Sequence, residues 1–205
     1  MYVPANFEVS NDEAWRIVTD AGAGMLVITT NEGLASVFVP VHVSDDRATL
    51  FAHVAKANPW WKSASEVNEV LALFVAASAY VSPRNYPSRF ENPNTVPTWN
   101  YAAAEVHGTL AVHTDLQWKH DQVRTLTHDF ERESDEEWLV DDLDPRYRDA
   151  QLNAIVGIEI TVTRIEAKAK LSQNRQEVDR LAVRENFSHG TLAQRGVAER
   201  MQGPS

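Results

Sequence analysis

The sequence predicts a mainly β fold with flanking helices, in which six or more short strands form an antiparallel barrel. Short alternating or apolar runs, separated by tight turns, fill the first half of the chain, as strands joined by hairpins do. Few of these runs are separated by helical segments, which argues against a doubly wound parallel sheet. The segment from Arg175 to Met201 instead has the pattern of two helices, hinged near His189 and Gly190. We therefore expect a barrel domain over 1–174 and a helical extension over 175–205.

The N-terminal elements begin with a helix. Ser10 and Glu13 have the spacing of a capping box, and the helical apolar face that follows should end near Gly22. Three strands are predicted next, over 24–30, 34–43 and 48–54. Pro40 cannot donate to a strand ladder, so the second of them should lie at a sheet edge or carry a bulge.

The later elements complete the barrel. Residues 69–82 are apolar on both faces, as in a strand with a second packed surface, which could be a cofactor or a partner subunit. Residues 94–114 read as two short strands broken near Gly108. Asp115 should cap a helix, and 154–170 alternates as a strand. The predicted apolar face of that helix comprises Leu116, Val123, Leu126 and Phe130.

Composition narrows the function classes. The 205 residues include 43% hydrophobic and 23% charged residues, which is ordinary for a globular protein. The sequence has neither a signal-peptide pattern nor an apolar run long enough to span a bilayer, so we expect a cytoplasmic protein without a membrane partner. Zero cysteines exclude disulfides and thiolate zinc sites, and the histidine spacing predicts no metal site. The net charge of -10 argues against tight non-specific binding to nucleic acid.

The stretch "HVAKANPWW", residues 53–61, is the first candidate binding site. Asn58 is a good N-cap and Pro59 is favoured at the first helical position. A helix start exposes unpaired backbone N–H groups, and Lys56 lies two residues upstream, so together they could hold a phosphate. The alternative is an ordinary strand-to-helix junction, with Lys56 in water and the tryptophans in the core.

Two further segments carry groups suited to a planar, phosphorylated ligand. In "VPTWNY", Trp99 and Tyr101 alternate with Asn100, so one strand face is aromatic and the other offers an amide that can pair with a heterocycle. In "KAKLSQNR", a strand ends in a polar cluster, for which a capped loop is the alternative interpretation. That cluster comprises Lys170, Ser172, Gln173, Asn174 and Arg175.

These motifs resemble a known family. "MYVP", "HVAKANPWW", "YVSPRNY", "VPTWNYAAAEVHG" and "KLSQNRQEVDR" occur in the order and at roughly the spacing of the PaiB family. That family is described as FMN-binding negative transcriptional regulators, within a group that includes pyridoxamine phosphate oxidases and flavin reductases. The resemblance implies a six-stranded FMN-binding split barrel with C-terminal helices, a homodimer, and FMN at the dimer interface.

The resemblance also implies site residues and functions. Lys56 would bind the FMN phosphate, with Asn58 and Pro59 of the same motif close by. Trp99, Asn100 and Tyr101 would lie beside the isoalloxazine, and "KLSQN" would bring Lys170, Ser172, Gln173 and Asn174 from the same or the other subunit. The implied function is negative transcriptional regulation or flavin-dependent redox sensing; an FMN-dependent oxidoreductase is the alternative. Acidic residues nearly cancel the arginines of the C-terminal helices, which argues against direct DNA binding.

Overall fold

The computed structural model describes residues 1–64, 66, 68–131 and 134–202, and its central feature is one β-sheet. The strands are β1 (Ala23–Thr30), β2 (Gly33–Pro40), β3 (His42–Val43), β4 (Thr49–Ala55), β5 (Glu69–Val81), β6 (Thr98–His113) and β7 (Ile155–Lys170). In the described part of the chain they form a sheet of seven strands in the order β2-β1-β5-β6-β7-β4-β3. β1 pairs antiparallel with β2 and β5, and β4 with β3 and β7.

Helices flank the sheet in the chain. They are α1 (Asn11–Ala21), α2 (Trp60–Ala64), α3 (Leu116–Glu131), α4 (Pro145–Asn153), α5 (Glu177–Ser188) and α6 (Leu192–Arg200). Their caps agree with the sequence patterns: the Glu13 N–H donates to Ser10 Oγ at 3.2 Å, and the Trp118 N–H to Asp115 Oδ1 at 2.8 Å. None of the described helices combines the length and apolar character needed to cross a bilayer. The mainly β fold with flanking helices is thus confirmed.

The resemblance implies six strands, whereas the sheet in the described residues has seven. The strand predicted over 34–43 forms two strands, while the two predicted over 94–114 form one. Pro40 is the last residue of β2, and the Val41 N–H donates to the Gly22 carbonyl at 2.9 Å before β3 begins. β2 lies at a sheet edge, as Pro40 predicts. β2 and β3 are at opposite edges of the sheet although Val41 alone separates them in the chain. In the described part of the chain the sheet is not closed.

The predicted break at Gly108 is wrong, because β6 runs through it without interruption. A Cβ built on Gly108 would lie 2.5 Å from both Ile160 Cγ2 and the Thr161 carbonyl oxygen. Glycine is needed here for the close approach of β7, a common reason for glycine inside a strand. The helix α4 was not predicted, although Asp144 and Pro145 have the N-cap and first-turn pattern. Asp144 Oδ1 accepts hydrogen bonds from the N–H groups of Arg146 and Tyr147 at 3.0 and 3.1 Å.

The chain divides into two compact units. The first comprises Met1–Ala21, Phe74–Glu105 and Glu166–Ser205, of which 203–205 lie outside the described residues; the second comprises Gly22–Leu73 and Val106–Ile165. β5, β6 and β7 each contribute residues to both units. Buried side chains of the first unit include Trp15, Ile17, Phe74, Tyr86, Val183 and Phe187, and those of the second include Leu26, Ile28, Leu50, Val106, Ile158 and Ile160.

Candidate functional site

In the first unit, the structure brings together the start of β6 and the end of β7. Lys170 Nζ donates to the Trp99 carbonyl oxygen at 2.9 Å and also contacts Thr98 Oγ1. Ser172 Oγ donates to Asn100 Oδ1 at 3.1 Å. Ser172 has a φ of 67°, a left-handed conformation that is uncommon outside glycine. The turn that carries Lys170 and Ser172 is thus tied to the strand that carries Trp99 and Asn100.

The two polar side chains at the centre of this turn are buried. Asn100 is 0% exposed and Ser172 3%, and the Asn100 Nδ2 group donates to Met201 Sδ at 3.7 Å. The Asn100 amide, predicted to face a heterocycle, is therefore engaged within the chain. Gln173 is exposed and bonds its own turn: its Oε1 accepts from the Leu171 N–H and its Nε2 donates to the Ala169 carbonyl, both at 2.6 Å.

Aromatic rings lie at the surface beside this buried pair. Trp99 is 53% exposed and Tyr80 50%, with ring centroids 6.4 Å apart and planes at 70°. Tyr101, the other aromatic residue of the predicted motif, has the Lys168 ammonium 5.3 Å above its ring. Exposed rings that lie together form a contiguous apolar patch, which can mark a binding surface. They offer flat apolar area to a planar ligand.

The same cluster is electropositive. Burial lowers the pKa of Lys170; the nearby charges of Lys168 and Arg175 lower it further, while Tyr101 acts in the opposite direction. Three cations therefore lie within electrostatic reach of one another next to the exposed rings. A groove of about 640 Å³ in the same unit has Gln173, Ala169 and Leu171 in its wall. Asn174, the last predicted residue of the cluster, is exposed.

The second unit holds the "HVAKANPWW" motif at the end of β4. The Lys56 backbone N–H donates to the Ala154 carbonyl at 2.7 Å, while its side chain is exposed. Asn58 Oδ1 accepts from the Trp60 N–H at 3.0 Å, as a capping residue does, and Pro59 is exposed. Trp60 is buried. α2, however, has five residues, so its dipole is small and Lys56 is the main anion-attracting group of this turn.

Sequence reasoning missed a second polar group in this unit, on the inner face of α3. The predicted apolar face is wrong in part: Phe130 is 57% exposed, whereas Lys119 and Gln122 are 3% and 7% exposed and are buried with Leu126. Residues three or four positions apart share a helix face, so the spacing of these three residues was the available signal. It was overlooked because a buried face was expected to be apolar.

The titratable groups of this face have perturbed properties. Burial lowers the pKa of Lys119, with the Lys56 charge acting in the same direction and the Asp115 charge opposing both. Burial also lowers the pKa of His53, and the nearby Gln122 amide partly offsets this. The Gln122 amide lies close enough to His53 to act on its pKa, but neither its Nε2 nor its Oε1 atom, nor His53 Nδ1, makes a hydrogen bond of good geometry. Buried polar atoms without well-placed partners are rare and need a physical reason.

One protein family, one relative and two solved structures are similar to this chain. The family described as "Putative FMN-binding domain" matches residues 1–164. The protease synthase and sporulation protein PAI 2 of Bacillus subtilis is 31% identical over 192 residues, covering 92% of this chain and 90% of that protein. The fold is similar to that of the FAD and heme binding protein from Mycobacterium smegmatis, with a TM-score of 0.59, 15% identity, and coverage of 80% of this chain and 73% of that one. A flavocytochrome from Azotobacter vinelandii has a TM-score of 0.58 and 10% identity, with coverage of 80% and 68%.

Proposed function

This chain belongs to the PaiB family of FMN-binding domains, and from that premise we propose that it is an FMN-binding regulatory protein, whose output follows the occupancy or the redox state of the flavin. Negative transcriptional regulation is the family's described role. Bound FMN supplies reversible electron transfer, while the protein supplies binding, orientation and electrostatics.

The chemistry of the residues present fits FMN. A flavin ring needs flat apolar contact, and its phosphate needs cationic donors. The observation that carries the proposal is the pairing of exposed rings at Trp99 and Tyr80 with the ammonium of Lys170, which is held by the Trp99 carbonyl at 2.9 Å. An anionic planar ligand satisfies both features at once. Lys170 would also favour a flavin ring that carries negative charge when reduced.

The predicted site residues then take different roles. In this proposal Lys56 of the second unit binds the phosphate, with Asn58 and Pro59 fixing its turn. In the first unit, Trp99 and Tyr101 offer surface for the ring. Asn100 and Ser172 are buried, so in this proposal they do not contact the ligand. They hold the strand ends that carry Trp99 and Lys170. Asn174 is exposed and would lie at the edge of the ligand, while Gln173 holds the turn through its hydrogen bonds to Leu171 and Ala169. These residues are Lys56, Asn58, Pro59, Trp99, Asn100, Tyr101, Lys170, Ser172, Gln173 and Asn174.

We further propose that the functional form is a homodimer, as the family resemblance implies. In the second unit, Leu34 and Phe38 on the edge strand β2 are 78% and 66% exposed. In the first unit, Val75 is 59% exposed on the face of β5 that was expected to be covered. Apolar strand surface of this kind favours association with a second copy.

Regulation without autonomous DNA binding agrees with the pairing of the C-terminal arginines. The Arg175 guanidinium lies 4.7 Å above the Tyr86 ring, Arg195 donates to the Gly190 carbonyl at 2.7 Å, and Arg200 donates to Glu13 at 2.9 Å. Groups engaged in this way are less available to phosphates than a free basic face would be. A gel shift at about 0.1 M salt that retained a specific fragment would contradict this part of the proposal.

The binding proposal is tested by comparing two ligands. Lys56→Met should weaken FMN by about tenfold and leave riboflavin, which lacks the phosphate, nearly unchanged. Lys170→Met, near the proposed ring site, should weaken both ligands. Dissociation constants from quenching of flavin fluorescence give both results. An equal loss of FMN and riboflavin in Lys56→Met would refute the phosphate role.

An FMN-dependent oxidoreductase is the second candidate. The half-exposed Trp99 ring leaves room for a small molecule to approach a flavin bound there. The reconstituted protein would then oxidise NADH or NADPH, or a reduced organic substrate, with turnover. Absence of turnover across these donors, in a protein that holds FMN, favours the regulatory function.

A further inference from the structure

We propose that Lys119 is a second phosphate-binding cation beside Lys56, and that Gln122 and His53 complete a donor set for the phosphate end of the cofactor. The inference rests on the FMN binding proposed above, which it deepens by assigning Lys119 and Gln122, two residues outside the recognised motifs, and by giving a ligand role to His53 of "HVAKANPWW". The ligand class is a phosphate monoester attached to a hydroxylated chain.

The Lys119 side chain is buried although it ends in an ammonium group. The side chain is 3% exposed, and Nζ donates to the Ile155 carbonyl oxygen at 3.4 Å, which is long for a charge-assisted hydrogen bond. Among the described residues, Asp115 is the acidic group that acts on this ammonium, and its carboxylate already caps α3 through the Trp118 N–H. A buried cation with so weak a counter-charge is costly, and an incoming anion would offset that cost.

The second argument is the position of the two lysines. The Lys56 backbone N–H donates to the Ala154 carbonyl, and the Lys119 ammonium donates to the Ile155 carbonyl. Both residues are therefore held at the start of β7. Ala55 and Ile155 are partners in the strand register. The Lys56 and Lys119 charges lie close enough to repel one another. A phosphate dianion shared by the two ammonium groups turns that repulsion into two attractions.

The third argument is the set of poorly paired polar atoms beside Lys119. Gln122 is 7% exposed and lies one helical turn further along α3. Its Nε2 and Oε1 atoms and the Nδ1 atom of His53 make no hydrogen bond of good geometry, although the Gln122 amide and the His53 ring are neighbours, and poorly paired buried groups are unfavourable. Phosphate oxygens can accept from the Gln122 amide and the imidazole. A ribityl hydroxyl can donate to Gln122 Oε1, which explains why an amide suits this position.

The test compares Lys119→Met with Lys62→Met, a matched control at an exposed lysine of α2. Methionine keeps the length of the buried stem and removes the charge, so we expect a folded variant. Lys119→Met should raise the dissociation constant of FMN about 10- to 100-fold and change that of riboflavin by less than about twofold. The control should change the FMN value by less than about threefold.

Several outcomes decide the matter. If wild-type protein binds FMN and Lys119→Met binds it equally well, the inference is overturned and the proposed function stands. If wild-type protein binds neither flavin, the proposed function fails, and inorganic phosphate then tests the site directly. In protein labelled with ¹³C at lysine Cε, the Lys119 signal should titrate at higher pH when phosphate is added. If phosphate leaves the pKa of Lys119 unchanged, the inference is overturned. This measurement uses the wild-type protein, so it decides the question even if Lys119→Met does not fold.

Discussion

The packing of α3 on β7 predicts that Gly157→Ala will destabilise the protein. A Cβ at Gly157 would lie 2.0 Å from Trp118 Cζ3, 2.6 Å from Cε3 and 2.9 Å from Cη2. Carbon atoms pack at about 3.5–4 Å, so the indole or the strand must move by roughly 1.5 Å. The indole is not free to move without loss, because it stacks on the His113 ring at 4.0 Å with an interplanar angle of 7°.

Two costs and one gain determine the expected change in the free energy of unfolding. Overpacking of a filled site costs about 1–3 kcal/mol, and disruption of the Trp118–His113 stack costs about 0.5–1.5 kcal/mol. Alanine in a strand is favoured over glycine by about 0.5–1 kcal/mol. The net expected loss is about 0.5–4 kcal/mol. Because α3 carries Lys119 and Gln122 on the face packed here, the same change should weaken FMN binding if those residues contact it.

Urea unfolding, followed by tryptophan fluorescence and circular dichroism, measures the loss. Gly196→Ala is the matched control, since its Cβ would lie an ordinary 3.9 Å from Ala77 Cβ and alanine favours a helix by up to about 1 kcal/mol. Trp118→Leu should restore much of the loss in Gly157→Ala by making room. A Gly157→Ala variant as stable as Gly196→Ala would refute the packing argument.

Two further predictions concern buried polar groups. Asp179 is 2% exposed and accepts hydrogen bonds from the Ser88 N–H at 3.0 Å and Oγ at 2.6 Å, so Asp179→Ala should cost about 2–4 kcal/mol. Glu177→Ala, on the exposed side of the same helical turn, should change stability by less than about 0.5 kcal/mol; equal effects in urea unfolding would contradict the role of Asp179. For His53, burial lowers the pKa below its ordinary value of 6.5, so the unfolded state binds the proton more tightly. This contribution to stability is complete above pH 6.5 and is lost as the pH falls towards the folded-state pKa. His53→Gln should therefore reduce the loss of stability below pH 6.5. An unchanged pH profile would contradict the lowered pKa of His53.

Much of the fold could be predicted because local patterns and tertiary structure agree. Ser10 and Asp115 cap helices as their spacing indicates, and Pro40 ends an edge strand. The errors arose where tertiary contact decides the outcome. Gly108 lies inside β6 because β7 passes close to it, which local sequence does not reveal.

The candidate site was harder to predict. Motifs that carry the family resemblance indicate Lys56, Trp99 and Lys170 as candidates, which stay a prediction, but they do not indicate which polar groups are buried. Asn100 pairs with Ser172 inside the chain. The sequence does not predict this pairing, because alternation along a strand defines two faces without indicating which one is buried. Lys119 was overlooked because a lysine within a helical pattern is normally solvated. Its burial depends on the contact between α3 and β7.

FMN binding is the central claim, and titration of the apo protein with FMN tests it most directly. Flavin absorbance and fluorescence give the affinity and stoichiometry, and native mass gives the assembly. If the protein is an FMN-binding homodimer, we expect saturation near one FMN per chain, with perturbed flavin spectra and the mass of a dimer. A folded protein that leaves the flavin spectrum unchanged at all concentrations would contradict it.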